Sequence, residues 1–268
     1  MEARARGLVE KVTSKDGTVI AYERSGAGPA VILVDGALCS RAFGPTAKLA
    51  PLLAEHFTVF AYDRRGRGGS GDVQPYSKAR EIEDIAALNR VAGGSASLLG
   101  FSSGAALALE AAAAGLGIRK VVAYEPPYVG QDSKAGASYE GTLKKLIGEG
   151  RRGEAVKYFM RDMVQVPGIF VVLMQLMFGV WGKLKAVAHT LPYDAAVMGD
   201  FTVPSSRLRT IQTPALVMNG SKTDARLKKA AQAVAAALPN AKHRVLAGQT
   251  HNVNPKVLTP AVVEFLRG

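Results

Sequence analysis

The feature that most constrains the fold is a regular alternation of short apolar runs with helical patterns along most of the chain. The apolar runs are rich in Val and Ile and predict eight strands, at Leu8–Thr13, Thr18–Arg24, Ala30–Val34, Thr58–Tyr62, Ser97–Gly100, Arg119–Tyr124, Ala215–Asn219 and His243–Leu246. Helical patterns follow several of them, at Ile82–Val91, Ser103–Ala114, Ala225–Leu238 and Lys256–Arg267. This order is typical of an α/β protein with a mostly parallel, doubly wound sheet flanked by helices.

The alternation changes in two places. Lys15, Asp16 and Gly17 separate the first two predicted strands and predict a hairpin, so the sheet should begin with an antiparallel pair. Between Tyr124 and Pro214, about ninety residues contain helical patterns and no convincing strand. We therefore expect a core of residues 1–125 and 206–268, with residues 126–205 inserted after the sixth strand as a helical cap. Functional groups should then lie under the cap, at the carboxyl ends of the strands.

The basic charge and one long uncharged segment raise the questions of a nucleic-acid partner and of a membrane span. The 34 Lys and Arg residues exceed the 22 Asp and Glu residues and give a net charge of +12. The basic residues fall in scattered pairs without interleaved aromatic residues, so we expect no nucleic acid as a partner. The segment Met163–Gly182 carries no charged residue, but Pro167, Gly168 and two glutamines interrupt it. Its strongly apolar part, Ile169–Trp181, is shorter than a membrane span and predicts a buried or pocket-lining element.

The remaining composition points to a protein that needs neither disulfide nor metal. Cys39 is the single cysteine, and no His or Cys spacing of a zinc site is present. The N-terminal segment MEARARGLVE lacks the apolar stretch of a secretory signal, so we expect a cytoplasmic protein. The sequence gives no indication of the oligomeric state.

The sharpest chemical signal is Gly100-Phe101-Ser102-Ser103-Gly104. This G-x-S-x-G pentapeptide lies directly after an apolar strand and directly before an Ala-rich helix, which is the context of a nucleophile elbow. Glycines are needed because the backbone turns so tightly, and the following helix directs free N–H groups toward the reacting centre. The pattern predicts Ser102 as a nucleophile.

With two further motifs, the chain resembles the α/β-hydrolase family over nearly all of its length. Val31-Ile32-Leu33-Val34-Asp35-Gly36-Ala37 is similar to the family's strand followed by a His-Gly loop, with Asp35 where His is usual, and Tyr62–Ser70 is similar to its D-x-R-G-x-G-x-S turn. The resemblance implies a serine hydrolase without a cofactor, and an oxyanion hole made by the backbone N–H groups of Ala37 and Ser103. Gly36 and Phe101, which flank this centre, are expected beside the substrate.

The resemblance also implies a histidine and an acid after Ser102 in the chain. His251 lies between the last predicted strand and the last helix, and it is the favoured base. Two carboxylates compete for the third role. Glu125 ends the sixth strand, followed by Pro126 and Pro127, and is favoured; Asp224 is the alternative acid, four residues after Gly220. Glu125 and the Asp35-Gly36 loop both resemble the zearalenone-type lactone hydrolases.

The predicted cap is rich in methionine and aromatic residues, and Met163, Met177 and Trp181 are expected to line the substrate pocket. The resulting expectation is hydrolysis of a small hydrophobic ester or lactone through an acyl-enzyme. A perhydrolase or C–C bond hydrolase with the same triad remains open. So does a ligand receptor that keeps the scaffold with a single turnover or none.

Overall fold

The computed structural model describes residues 8–130 and 133–268. A mixed β-sheet lies at the centre of this part of the chain. The prediction of a cytoplasmic protein and the prediction of a core that begins at residue 1 both include residues 1–7, which lie outside the described residues. The described strands form one eight-stranded sheet in the order β1-β2-β4-β3-β5-β6-β7-β8. Their bounds are β1 Val9–Thr13, β2 Val19–Ser25, β3 Ala30–Val34, β4 Thr58–Tyr62, β5 Ser97–Phe101, β6 Val121–Tyr124, β7 Ala215–Gly220 and β8 Ala241–Leu246.

The directions of the strands follow the predicted pattern. β1 pairs with β2, and β2 with β4, in antiparallel register. The pairs β3–β4, β3–β5, β5–β6, β6–β7 and β7–β8 are parallel. Gly17 lies at the turn of the first hairpin with φ +86°, where a glycine is favoured. The central strands β5, β6 and β7 are buried throughout, as expected for parallel strands covered on both faces.

Helices cover both faces of the sheet and fill the connection between β6 and β7. In chain order they are α1 Pro45–Leu53, α2 Lys78–Val91, α3 Ser103–Ala113, α4 Ser133–Gly148, α5 Arg152–Tyr158, α6 Gly168–Leu176, α7 Phe178–Val187, α8 Leu191–Met198, α9 Ser205–Leu208, α10 Ala225–Ala237 and α11 Pro255–Arg267. Helices α2, α3 and α10 contribute to one apolar cluster, and α1 and α11 pack on the opposite face. The fold is the α/β-hydrolase fold that the sequence predicts.

β6 begins at Val121, two residues after the predicted start at Arg119, and the other strand boundary that differs by two residues is the start of β8. This strand begins at Ala241, two residues before the predicted start at His243. It lies at the edge of the sheet, and most of its side chains are at least partly exposed. An edge strand of this kind lacks the continuous apolar run by which a buried strand is recognised, so the sequence signal begins late.

We call the segment between β6 and β7 the helical insertion. A π-helical turn at Phe159–Met163 follows α5, and a 3₁₀ turn at Ala188–Thr190 precedes α8. The expectation that Ile169–Trp181 is buried or lines the pocket is wrong. The run breaks at Met177 into α6 and α7, and most of its large side chains are exposed. Among the described residues no single helix is long and apolar enough to cross a membrane, and only a pair of helices bent by 103° meets that test.

Candidate active site

Ser102 lies at a sharp turn between β5 and α3. Its backbone has φ +53° and ψ −126°, a strained conformation for a residue with a side chain. A Cβ on Gly100 would collide with the carbonyl oxygen of Gly104, and a Cβ on Gly104 would collide with the carbonyl oxygens of Val34 and Asp35. Both glycines of the pentapeptide are therefore required by close backbone contacts, and the turn presents Ser102 to a cavity.

His251 and Glu125 form a hydrogen-bonded pair in the same region. His251 lies in the loop between β8 and α11, and its Nδ1 is 2.7 Å from Glu125 Oε2. The loop is held in turn by the Tyr124 hydroxyl, which donates to the Thr250 carbonyl at 2.6 Å. His251 and Ser102 line one cavity, so the structure brings the three residues to the same edge of the sheet.

Glu125 is held as a carboxylate although its side chain is fully buried. Its Oε1 accepts hydrogen bonds from the Gly220 N–H at 2.7 Å and from the Thr223 hydroxyl at 2.6 Å. Burial alone would raise the pKa of Glu125, but the hydrogen bonds from His251, Gly220 and Thr223 hold it below its usual value. An ionised carboxylate only accepts hydrogen bonds, so it fixes the His251 tautomer with the proton on Nδ1 and leaves Nε2 as an acceptor.

Asp224, the alternative acid, has a different role in the structure. It caps the N-terminus of α10, where its Oδ1 accepts from the Arg226 N–H at 2.8 Å and from Arg226 Nε at 2.9 Å. Its side chain is half exposed and makes no hydrogen bond to His251. Asp224 lines the cavity, but Glu125 is the carboxylate that the fold brings to the histidine.

The two predicted oxyanion donors also face this cavity. Ala37 and Ser103 line it together with Ser102. Ser103 begins α3, so its N–H belongs to the first turn, which has no acceptor within the helix. In the described part of the chain, no protein acceptor takes the N–H of Ala37 or of Ser103. Both groups are free to bind an oxygen atom of a ligand.

A buried ionic network supports both donors. Arg67 Nη1 donates to the Gly36 carbonyl at 2.6 Å, and this carbonyl belongs to the same planar peptide unit as the Ala37 N–H. The Ser103 hydroxyl donates to Asp194 Oδ1 at 2.7 Å. Asp194 in turn accepts from Arg64 at 2.7 Å and from Arg67 at 2.6 Å. One carboxylate on α8 of the helical insertion is thus linked through Arg67 to the Gly36–Ala37 peptide and directly to the Ser103 hydroxyl.

This network was not predicted from the sequence. Burial alone would raise the pKa of Asp194, but Arg67 and Arg64 lower it, and it remains ionised. Arg64 is neutralised further by Glu81, which accepts two hydrogen bonds from it at 2.6 and 2.7 Å. The three arginines in the D-x-R-G-x-G-x-S-like turn are the sequence signal that could have indicated the network, because arginines buried near an active site require carboxylates as partners. This signal did not identify Asp194, 127 positions from Arg67.

Asp35 is a second buried carboxyl group near the site. Its Oδ1 accepts weakly from the Thr46 N–H at 3.3 Å, while its Oδ2 has no hydrogen-bond partner in the described part of the chain. Burial raises the pKa of Asp35 to about 7. The residue stands where the related loop usually has His, and here it holds the loop through Thr46 at the start of α1.

The cavity has a volume of about 290 Å³ and a largely apolar wall. Met163 lines it as predicted, together with other residues of the helical insertion and of α10, among them Pro127, Val129, Phe159, Val164, Met198, Phe201 and Leu227. Exposed polar residues on its other side include Lys222 and Asn252. Such a wall suits a small ligand with an apolar part.

Four other predicted contact residues do not line this cavity. Gly36 and Phe101 lie beneath Ser102: a Cβ on Gly36 would be 3.0 Å from the Ser102 Cβ, and Phe101 is buried against Tyr124. The expectation for Met177 and Trp181 is wrong. Met177 is the exposed junction between α6 and α7, and Trp181 lines a separate groove with Lys185. The bend at Met177 places both residues away from Ser102's cavity.

Two of the other histidines lie beside single polar side chains. His243 Nε2 is 2.8 Å from Asn219 Oδ1, and His189 lies 3.9 Å from Asp72. Among the residues that the structure describes, no group of three or more His, Cys, Asp or Glu side chains is arranged to hold a metal ion.

Comparison with known proteins identifies the family. The model of the alpha/beta hydrolase family matches residues 25–259. The crystal structure of an alpha/beta hydrolase from Sphaerobacter thermophilus is 50% identical, with a TM-score of 0.89 over 96% of this chain and 100% of that one. A thermophilic esterase from Thermogutta terrifontis is 20% identical, with a TM-score of 0.77 over 97% and 98% of the chains.

A third similar structure is the enol-lactonase from Burkholderia xenovorans, with 21% identity and a TM-score of 0.71 over 97% of this chain and 100% of that one. No curated protein sequence matches the chain. The last two structures show the fold alone, whereas the family model covers most of the sequence. The chain belongs to the alpha/beta hydrolase family.

Proposed function

We propose that this hydrolase cleaves small apolar carboxylic esters or lactones, with Ser102 as nucleophile, His251 as base and Glu125 as the acid of the triad. The observation that carries the proposal is the 2.7 Å hydrogen bond between His251 Nδ1 and the buried Glu125, beside a cavity that Ser102 and His251 both line. The bond leaves His251 Nε2 as a proton acceptor, which is what activation of a serine hydroxyl requires.

The reaction would proceed in two halves. In acylation, His251 Nε2 takes the proton of Ser102 as the serine oxygen attacks the substrate carbonyl carbon, and the oxyanion accepts hydrogen bonds from the N–H groups of Ala37 and Ser103. The intermediate collapses, and the leaving alcohol takes the proton from His251. In deacylation, His251 removes a proton from water, and the resulting hydroxide attacks the acyl-enzyme. The carboxylic acid departs, and Ser102 regains its proton.

The cavity supports the substrate class. Its volume of about 290 Å³ suits a small acyl group or a single lactone ring, and side chains such as Phe159, Met163 and Phe201 offer it an apolar wall. Two structural neighbours of the same fold are an esterase and an enol-lactonase, which are the two reaction classes proposed here.

The test uses a panel of p-nitrophenyl esters and lactones with the wild type and the Ser102→Ala variant, together with a fluorophosphonate probe. We expect sustained turnover by the wild type, none by Ser102→Ala, and labelling of Ser102 alone. Ser206→Ala, which removes an exposed hydroxyl outside the cavity, is the matched control and should behave as the wild type.

Two outcomes would contradict the proposal. A single stoichiometric burst that then stops would indicate a receptor that is acylated once. Labelling that persists in Ser102→Ala would place the nucleophile elsewhere, and Ser103 would be the first residue to examine.

A further inference from the structure

Helices α6 and α7 together expose a large apolar surface. Phe178 is 84% exposed, and Leu176 and Ile169 are 64% and 63% exposed. Other exposed members of this surface are Phe170, Val172, Leu173 and Met177. We call these seven residues the apolar face. Contiguous apolar surface of this kind on a protein marks a contact with a partner or a membrane.

A cationic groove lies beside the apolar face. It has a volume of about 590 Å³ and is lined by Arg151, Arg152, Lys157 and Lys185, with Trp181 between them and Glu154 as its one acidic residue. Gln175 of α6 also lines it, so the groove and the apolar face share the same helices. We call this feature the cationic groove.

The charges of the groove are only partly neutralised. Glu149 and Glu154 both pair with Arg151. Within the described residues, Lys185 makes no ion pair, and Arg152 donates to the Ala186 carbonyl at 3.3 Å. Lys157 makes no close ion pair there either, although its charge helps to lower the pKa of Glu154. No acidic residue occurs between Asp162 and Asp194, a span that includes all of the apolar face. The surface therefore combines exposed apolar side chains with unneutralised positive charge.

We propose that this surface docks on an anionic phospholipid membrane. The apolar face would enter the boundary between headgroups and acyl chains, while Lys157, Lys185 and Arg152 meet the lipid phosphates. Apolar residues beside lysines and arginines are the composition of helices that lie in a membrane interface. Trp181, at the groove, has the amphipathic ring that favours the same depth.

Charge favours a membrane over a second copy of the chain. The net charge is +12, so two copies facing each other through their cationic grooves would repel, whereas an anionic bilayer attracts each Lys or Arg near its surface by about 1 kcal/mol. The contact would also place the catalytic cavity near the lipid. Val164, four residues before α6, lines that cavity and is 42% exposed. Docking itself does not depend on the proposed hydrolysis, because it concerns binding only.

The test measures co-sedimentation of the full chain with vesicles at low ionic strength. We expect binding to vesicles of phosphatidylglycerol and phosphatidylcholine in equal amounts, loss of binding in high salt, and little binding to phosphatidylcholine alone. Lys157→Gln combined with Lys185→Gln should weaken binding by about tenfold or more. Ile169→Ser combined with Phe178→Ser should have an effect of similar size, about tenfold.

The matched control substitutions lie outside the helical insertion. Lys242→Gln combined with Lys256→Gln removes two exposed cations, and Val91→Ser removes an exposed apolar side chain; neither should change binding. Melting curves check that each variant is folded. Phe178→Ser alone is the second variant if the double substitution does not fold, because its side chain is almost wholly exposed.

Three results would overturn the proposal. One is a wild type that does not sediment with the anionic vesicles at low salt. Another is an equal loss of binding in the control variants, which would indicate attraction by net charge without a dedicated surface. The third is a wild type that forms a dimer in light scattering and does not bind vesicles, when Ile169→Ser combined with Phe178→Ser dissociates the dimer. That result would assign the apolar face to a second copy.

Discussion

At the scale of single residues, Glu125 and Asp224 differ in what their surroundings allow them to do. Glu125 is wholly buried with three donors on its carboxylate, whereas Asp224 is half exposed and serves as a helix cap. A buried carboxylate that binds a histidine orients its tautomer and stabilises its cation. A solvated helix cap contributes mainly to local stability, by about 1 kcal/mol.

We predict that Glu125→Gln lowers kcat by at least about a hundredfold with little change in KM. The glutamine oxygen can still accept from Gly220 and Thr223, but its NH₂ group would then face His251 Nδ1 and favour the tautomer with the proton on Nε2. In that tautomer His251 cannot accept the serine proton. Steady-state kinetics on a p-nitrophenyl ester measures the effect, and a melting curve checks the fold.

Asp224→Asn is the matched comparison for Glu125→Gln, and we expect it to lower kcat by less than about tenfold, since Asp224 makes no hydrogen bond to His251. If Asp224→Asn proves to be the crippling substitution and Glu125→Gln is nearly silent, then the hydrogen bond between Glu125 and His251 is not the one that catalysis uses.

At the scale of secondary-structure elements, α8 of the helical insertion is connected to the proposed oxyanion site. Its Asp194 accepts from Arg64, Arg67 and Ser103, and Arg67 holds the carbonyl of the Gly36–Ala37 peptide. The position of one helix therefore affects the orientation of both N–H donors. Donors to an oxyanion act through their exact direction, and losing one typically costs about a hundredfold or more in kcat.

We predict that Asp194→Asn lowers kcat by about tenfold or more and changes KM much less, because the loosened donors act on the transition state. The buried arginines also lose part of their counter-charge, so the variant should unfold at a lower temperature. Kinetics well below both melting temperatures separates the two effects. A variant with lower stability but the wild-type kcat would show that the network supports the fold alone.

Met163 and Met177, which were both predicted to line the pocket, allow a second test at this scale. Met163 lines the cavity beside Ser102, whereas Met177 lies at the exposed junction of α6 and α7. We predict that Met163→Ala shifts the preferred acyl chain length, since the smaller side chain enlarges the cavity, and that Met177→Ala leaves the preference unchanged. Ratios of kcat/KM over a series of esters measure this. A shift in both variants would mean that Met177 reaches the substrate.

At the scale of the whole molecule, Asp35 links global stability to pH. Its pKa is raised to about 7 in the folded protein, whereas an unfolded Asp titrates near 3.9. The folded state binds this proton more tightly, so the stabilisation is complete below the unfolded pKa and is lost as the pH rises through about 7. The difference of about three pKa units corresponds to roughly 4 kcal/mol at most.

Asp35→Asn mimics the protonated form and keeps the acceptor for Thr46. We predict that the melting temperature of this variant minus that of the wild type increases as the pH rises from about 5 to about 8. Thermal unfolding at a series of pH values measures the difference. Asp200→Asn, at an exposed carboxylate whose pKa is lowered, is the control and should show no such gain in this range. A difference that does not change with pH would mean that Asp35 is already ionised in the folded protein.

Much of the fold can be predicted from the sequence because the relevant signals are local. Neighbouring residues alone show the apolar runs of strand length, the helical periodicity and the glycine at the first hairpin. These signals identify the succession of strands and helices along the chain and indicate a mostly parallel sheet. The pentapeptide around Ser102 is local in the same way. Gly100 is required by a contact within the turn itself, with the Gly104 carbonyl, so five neighbouring residues indicate the turn. The close contact of Gly104 with the carbonyls of Val34 and Asp35 is visible only in the folded chain.

Only the tertiary structure decided between Glu125 and Asp224, because each ends or follows a strand and the outcome depends on which one meets His251 across the sheet edge. Asp194 was missed because its partners lie 91 to 130 positions away in the chain, beyond the reach of any spacing rule. The apolar run Ile169–Trp181 was misassigned because hydrophobicity shows that a side chain gains from leaving water, but not which surface will cover it. In the folded chain the run is divided at Met177 into two short helices, and most of those side chains are exposed.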